Sequence, residues 1–258
     1  MNLFTQKKPK ISIILPNFNS EDSIEETIKS VLTQTYKKWE LIIVDDNSNQ
    51  KTKEILLKYK KYKKIKLFFL KKNKGAGFCR NFAIQNSKSD FLAFIDSDDL
   101  WEKNKLDKQI EFMKKENCFF SYTYYKTFNK HKNLKKIIVP KKFNFNNFIK
   151  NTSIATSTMI VKRFIDKKIK FTNSTSCDDY YFKCALLKRY NTALCCPFFL
   201  TKYQLRENSV QRSRLRNLYW VYIINKNYNK LSFLENLISL ISISLNSIKK
   251  YGFLRPNK

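Results

Sequence analysis

The sequence predicts an α/β fold: a mostly parallel sheet with helices on both faces, followed by a helical C-terminal extension. Two patterns lead there. Apolar runs of strand length alternate with segments of helical spacing through the N-terminal part of the chain. The runs are also continuously apolar, as expected of strands buried on both faces.

The first run, Ile11 to Leu15, is closed by Pro16. Ser23 and Glu26 have capping-box spacing, and Ile24, Ile28, Val31 and Leu32 follow at helical intervals. Leu41 to Val44 is the second strand, a helix follows over about 51–59, and Ile65 to Leu70 is the third strand. Gly75 and Gly77 break the chain before a helix that carries Arg80 and Asn81. The fourth strand, Phe91 to Ile95, runs into Asp96. Beyond Asp99 the spacing predicts a charged amphipathic helix over Trp101 to Glu116 and strands over Phe119 to Phe128 and Met159 to Val161. A helix over Asp178 to Arg189 and a strand over Phe198 to Leu205 complete a domain of residues 1–210. Its functional division lies near Asp99, between a nucleotide-binding half (about 10–100) and an acceptor half (about 101–210). Residues 211–258 read as a helical extension. In it Ser232 and Glu235 form a second capping-box pair ahead of Leu237, Ile238, Ile241, Leu245 and Ile248 on one face. That face either packs on the core or rests on a membrane surface.

Composition narrows the classes. A chain of 258 residues with 43% hydrophobic residues can bury a core, so it is not a disordered chain. The net charge of +30 invites a polyanion: nucleic acid, anionic lipid or a phosphorylated substrate. Yet the lysines are spread along the whole chain. Richness in Lys, Asn, Ile, Phe and Tyr with only three Gly is also what AT-rich codons produce. No nucleic-acid-binding motif accompanies the charge, and clustered carboxylates would repel phosphates, so no nucleic-acid partner is expected. The six cysteines contain no CxxC pair and His131 is the single histidine, which argues against a zinc site. Met1 to Lys10 lacks an apolar signal core, and Asn236 to Ile248 falls short of the ~20 apolar residues of a span. The expectation is a cytoplasmic protein with reduced thiols, in peripheral contact with the inner membrane face.

Ligands of an open parallel sheet lie beyond the carboxyl ends of its strands. Three polar clusters fall at such ends: Pro16-Asn17-Phe18-Asn19, Asp45-Asp46-Asn47-Ser48 and Asp96-Ser97-Asp98-Asp99. Each alone is an ordinary turn. Together they gather carboxylates that repel one another unless a cation or donors offset them. A hard divalent cation would do so while recruiting a diphosphate and easing its departure as a leaving group. Asp45 or Asp46 would accept from a base N–H or a ribose hydroxyl. Arg80 is either a donor to base or diphosphate, or a surface salt bridge on its helix.

The motifs Ile13-Ile14-Leu15-Pro16-Asn17-Phe18-Asn19, Trp39 to Ser48, Asn73 to Gly77 with Arg80-Asn81, and Phe94 to Trp101 resemble the family 2 glycosyltransferases in order and spacing. The resemblance spans roughly residues 10–210 and is nearest to bacterial enzymes of teichuronic acid, capsule and O-antigen synthesis. It implies the GT-A fold, a nucleotide-sugar donor (most often UDP-linked), Mg2+ or Mn2+, inversion at the anomeric carbon, and a glycan or lipid-linked glycan acceptor. By this resemblance Pro16, Asn17, Asn19, Asp45, Asp46, Arg80 and Asp96 would hold the nucleotide. Asp98 would bind the metal, with Asp99 a second candidate. The pair Asp178-Asp179 matches the family's acidic pair at a helix start, with Asp179 as general base and Asp178 in the place of Glu; Asp is also an ordinary helix cap. Thr158 falls in a segment that lines the acceptor site in the family, and could equally lie on a strand edge. Arg206 stands where many members carry His, near the diphosphate. The departures are Asn47, in place of a common Gly, and Arg206 itself.

Three other readings are weaker. A sugar-phosphate nucleotidyltransferase needs a Gly-rich loop after the first strand, and no Gly precedes Gly75. A haloacid-dehalogenase-like phosphatase places its Asp-x-Asp nearer the N-terminus. A basic nucleic-acid-binding protein has only the charge in its favour.

Overall fold

The computed structural model describes residues 9–128, 135–164, 166, 169–172, 177–205 and 214–251. The elements are β1 (Ile11–Asn17), α1 (Ile24–Leu32), β2 (Trp39–Asp45), α2 (Gln50–Leu57), β3 (Ile65–Phe69), α3 (Ala76–Gln85) and β4 (Phe91–Phe94). Then come β5 (Leu100–Trp101), α4 (Lys105–Lys115), β6 (Phe120–Phe128), β7 (Lys135–Ile137), β8 (Lys142–Phe143) and α5 (Phe145–Phe148). A 3-10 turn (Thr156–Thr158) leads to β9 (Ile160–Lys162), α6 (Asp178–Tyr190) and β10 (Ala193–Gln204). The chain finishes with α7 (Arg214–Ile224), a π-helical segment (Asn225–Asn229) and α8 (Phe233–Tyr251).

One sheet runs β3-β2-β1-β4-β9-β6-β10-β5, with β7 on β6 and β8 on β10. The long ladders are parallel: β1 with β2 and β4, β2 with β3, and β10 with β6. β9 runs antiparallel to both of its neighbours and joins the two parallel parts. β1 and β2 are buried at every position, which is why their sequences do not alternate. Their side chains divide between two cores. Ile11, Ile13 and Leu15 pack with α1, α2 and α4 on one face. Ile14, Ile42, Val44 and Phe94 pack with α3, α5 and α6 on the other. The predicted α/β class, with helices on both faces, holds.

Local differences have local causes. Pro16 does not end β1, which continues to Asn17 paired with Asp45. The ladder to β4 has already stopped at Ile14–Phe94, so a proline costs nothing on that side. Trp101 is not helical: it pairs with Thr201 on β10, and the helix starts at Lys105. Asn47 takes the left-handed conformation (φ 61°) expected of an Asn in the place of Gly. Ser23 makes no capping bond; its hydroxyl donates to Ser97 O (2.9 Å) and so holds the loop after β4. Ser232 and Glu235 do form the reciprocal bonds of a capping box at the start of α8.

Gly77 does not break the chain but lies inside α3. A Cβ there would stand 2.5 Å from Thr172 O and 2.9 Å from Asp178 Oδ2. The glycine therefore lets α3 touch the start of α6. Gly77→Ala should gain helix propensity of up to ~1 kcal/mol but lose about 1–3 kcal/mol to overpacking. A net fall in stability, with weakened donor binding, is the expected outcome in urea titrations. A stabilised variant with unchanged binding would contradict the close approach.

All six cysteines are free thiols. Among the described residues no helix is long and apolar enough to cross a membrane.

Candidate active site

The predicted polar clusters do meet at the carboxyl edge of the parallel strands, but they divide into an internal scaffold and an open centre. Asn17 Nδ2 donates to Asp45 Oδ1 (2.7 Å) and to Ser48 Oγ (3.3 Å). Ser48 in turn donates from its N–H (3.0 Å) and hydroxyl (2.5 Å) to Asp45. The Asn19 N–H donates to Ser48 Oγ, and Asn19 Oδ1 accepts from the Asn49 N–H. Asp45, Asn17 and Pro16 are buried. Their polar atoms staple the end of β1 to that of β2. Asp46 uses both oxygens on the next loop, accepting from the Lys74 and Gly75 N–H groups at 2.7 Å each. These carboxylates shape the floor of the site.

The open centre is organised by Arg80. Its side chain is only 7% exposed, so it is a buried bridge and not a surface salt bridge. One nitrogen donates to Asp96 Oδ1 at 2.6 Å and the other to Asp178 Oδ2 at 2.8 Å. The guanidinium lies over the Phe171 ring, 5.1 Å from its centroid. Arg80 thus joins the end of β4 to the start of α6, two points far apart in sequence. Burial alone would favour its neutral form, but Asp96 and Asp178 overcome that and raise its pKa further.

Asp178 and Asp179 occupy the first turn of α6, where the helix dipole favours negative charge. The cap position itself is Cys177, in a left-handed conformation (φ 59°), so the acidic pair is not the cap. Burial raises the Asp178 carboxyl to about 6 against the pull of Arg80, with Asp179 and Asp96 adding to the rise. Asp179 goes the other way. Burial opposes its charge, but Lys183, one helical turn on, and the Thr156 hydroxyl hold its pKa down to about 2. Both donate to Oδ2, Thr156 at 2.7 Å and Lys183 Nζ at 2.5 Å. Neither donor uses the other carboxylate oxygen, Oδ1, and the side chain is 30% exposed.

The acidic turn after β4 is closed by the Asp99 N–H donating to Asp96 O (3.1 Å). Asp96 and Asp98 are half-buried at its surface. Asp99 corrects the expectation of a second metal ligand. It is 1% exposed, its Oδ1 accepts from the Gln204 N–H (2.8 Å), and burial beside Asp98 and Asp96 pushes its carboxyl well above the usual range. It fastens the loop to the end of β10. Thr158 is corrected too. It is fully buried and donates to Ala155 O (2.6 Å), while its own carbonyl accepts from Gln109. Thr156 is the threonine of that turn that reaches the site. Ser157 backs the acidic turn, its Oγ accepting from the Asp96 N–H at 3.0 Å. Arg206 lies outside the described residues.

Thr156 and Ser157 belong to the segment Thr156 to Met159 that the resemblance singles out, although Thr158 was the residue named from it. Lys183 was not picked out by sequence, and its signal there was the i+4 spacing from Asp179 on a predicted helix. Among the described residues no group of three or more His, Cys, Asp or Glu side chains gathers to hold a metal by itself, so a cation at the acidic turn would depend on ligands from the substrate and water. Asp98 with Asp96 supplies oxygen ligands of the kind Mg2+ or Mn2+ takes, and the rest of the coordination shell is typically completed by phosphates and water.

A sheet covered on both faces, with this acidic turn beyond its central strand and an acidic helix start facing it through Arg80, defines a GT-A glycosyltransferase. The sequence pattern of Glycosyl transferase family 2 matches residues 12–198, and the chain belongs to that family. It is 34% identical over 249 residues to TuaG of Bacillus subtilis (strain 168), named as a teichuronic acid biosynthesis glycosyltransferase, covering 95% of this chain and 99% of that one. It is also 34% identical to WfgD of Escherichia coli, a UDP-Glc:alpha-D-GlcNAc-diphosphoundecaprenol beta-1,3-glucosyltransferase, covering 94% and 95% of the two chains. The fold matches that of S. aureus TarS 1-349 in complex with UDP-GlcNAc, with a TM-score of 0.72 and 23% identity over 96% of this chain and 74% of that one. It likewise matches the mannosyltransferase PcManGT of Pyrobaculum calidifontis in complex with GDP-Man and Mn2+, with a TM-score of 0.67 and 14% identity over 96% and 77%. The protein is a glycosyltransferase.

Proposed function

We propose that the protein transfers a sugar from a UDP-linked donor to a hydroxyl of a lipid-linked glycan in cell-surface polysaccharide synthesis, inverting the anomeric carbon. The observation that supports this reading is the Arg80 bridge, which joins Asp96 after β4 to Asp178 at the start of α6, beside Asp179. The named activity of WfgD and the UDP-GlcNAc complex of TarS support the choice of donor and acceptor.

The nucleotide lies over the floor made by Asn17, Asp45 and Asp46, with Asp96 toward the ribose. Asp98, aided by Asp96, would hold Mg2+ or Mn2+, which would supply positive charge to offset that of the leaving diphosphate. Asp179 takes the proton of the attacking hydroxyl through Oδ1, while Thr156 and Lys183 fix the carboxylate through Oδ2. The test is calorimetric titration of UDP with and without Mn2+. Asp98→Ala should weaken the metal-dependent affinity by roughly 10–100-fold. If UDP binds equally well without metal, or equally well to the variant, the assignment of Asp98 fails.

A further inference from the structure

The C-terminal helix is mounted with its polar side inward. On α8, Ser239 is fully buried and Asn236 nearly so, whereas Leu245 is 62% exposed. Leu234, Leu237, Ile238 and Ile241 are exposed with it, at the spacing of a single helical face. Four members of the stripe read from sequence, Leu237, Ile238, Ile241 and Leu245, are exposed and are joined by Leu234, while the fifth, Ile248, is half-buried.

Hydrogen bonds set that rotation. Asn225 Nδ2 donates to Asn236 Oδ1 (3.1 Å) and Ser239 Oγ (3.0 Å). Ser239 donates to Ile149 O (2.6 Å), Asn236 to Tyr222 O (3.1 Å), and Asn246 to Lys150 O (3.0 Å). Turning the helix to bury the leucines would strand these buried polar groups, so the stripe has no way into the core. Among the described residues nothing covers it.

Charge selects the occupant. Between residues 214 and 251 stand Arg214, Arg216, Lys226, Lys230, Lys249 and Lys250, against Glu235 alone. A second copy would bring two such cationic surfaces together, in a chain already at +30. An anionic lipid surface satisfies both the apolar stripe and the exposed cations of the same C-terminal segment, Lys226, Lys230 and Lys249. With 19 residues, α8 is about 28 Å long, enough to lie along the interface.

We propose that the outward face of α8 is a docking surface for an anionic membrane, with Leu234, Leu237, Ile238, Ile241 and Leu245 entering the headgroup region. The helix lies in the plane of the interface and does not cross it. α8 is linked to the start of α6 through α7, whose Tyr222 O accepts from Asn236 and whose Asn217 O accepts from Cys177. The inference is independent of which sugar or acceptor is used.

Flotation of the full chain with phosphatidylcholine vesicles, with and without phosphatidylglycerol, tests it. The parent should float with the anionic vesicles and much less with the neutral ones. The double variant Leu237→Ser with Ile241→Ser should bind about 10–100-fold more weakly, at unchanged thermal melting and UDP affinity. Ile241→Leu should bind like the parent. Undiminished flotation of the double variant overturns the proposal. So does a parent that ignores anionic vesicles, including one that runs as a dimer split by the double variant, which would give the face to a second copy.

Discussion

Arg80→Ala is expected to lower the free energy of unfolding by about 3–5 kcal/mol, a drop in Tm on the order of 10 °C. The reason is the position of the bridge. Arg80 is the cation between Asp96 and Asp178, and removing it leaves two carboxylates facing each other in a poorly hydrated space. Asp178 already sits at about 6 because of burial, and without the guanidinium its pKa rises further, so it takes up a proton near neutral pH. Phe171 loses its cation at the same time. Arg80→Lys should recover only part of the loss, because an ammonium cannot reach both carboxylates with the fixed fork that Arg provides. Donor affinity should fall in parallel, since Asp96 loses its anchor. Urea unfolding at neutral pH gives the answer. An alanine variant within about 0.5 kcal/mol of the parent would place it among ordinary surface substitutions and remove the bridge from the account.

Asp179→Asn should reduce kcat by roughly 10²–10⁴-fold while leaving donor binding intact. The pH profile separates it from its neighbour. Asp179 is held near 2 by Lys183 and Thr156, so it remains ionised through the working range and adds no acid limb there. Asp178 titrates near 6. Below that pH it gains a proton, its charge is lost and its hold on Arg80 weakens. Activity of the parent should therefore decline as pH falls through about 6, and that decline should disappear in Asp178→Asn. Steady-state rates across pH for the parent and both variants decide the matter. If Asp178→Asn suffers the larger loss of kcat while Asp179→Asn still turns over, the base is Asp178.

Much of the N-terminal part of the fold was legible because its cues are local. The buried strands β1, β2 and β4 showed as unbroken apolar runs, and each was followed by its polar cluster. A strand that must be apolar on both faces leaves a signal that needs no knowledge of its neighbours. Trp101 was misread because its paired partner, Thr201, lies far along the chain and a two-residue strand has no period to detect. Asp99 and Asp98 are adjacent and chemically identical. Tertiary partners, the Gln204 N–H of β10 and the Ser157 hydroxyl, turn one inward.

The sequence by itself determined the layered α/β architecture and the family, and it singled out the acidic residues of the candidate site. Tertiary structure decided how those residues share the work. It made Arg80 a buried bridge, made Asp45 and Asp46 the supports of the floor, and gave Asp179 its partners in Thr156 and Lys183. It also turned the apolar side of α8 outward. The physical reason is common to all of these. Hydrophobic periodicity is written within each segment, whereas a hydrogen-bond partner is set by which segments meet, and in a buried site those partners fix both charge and orientation.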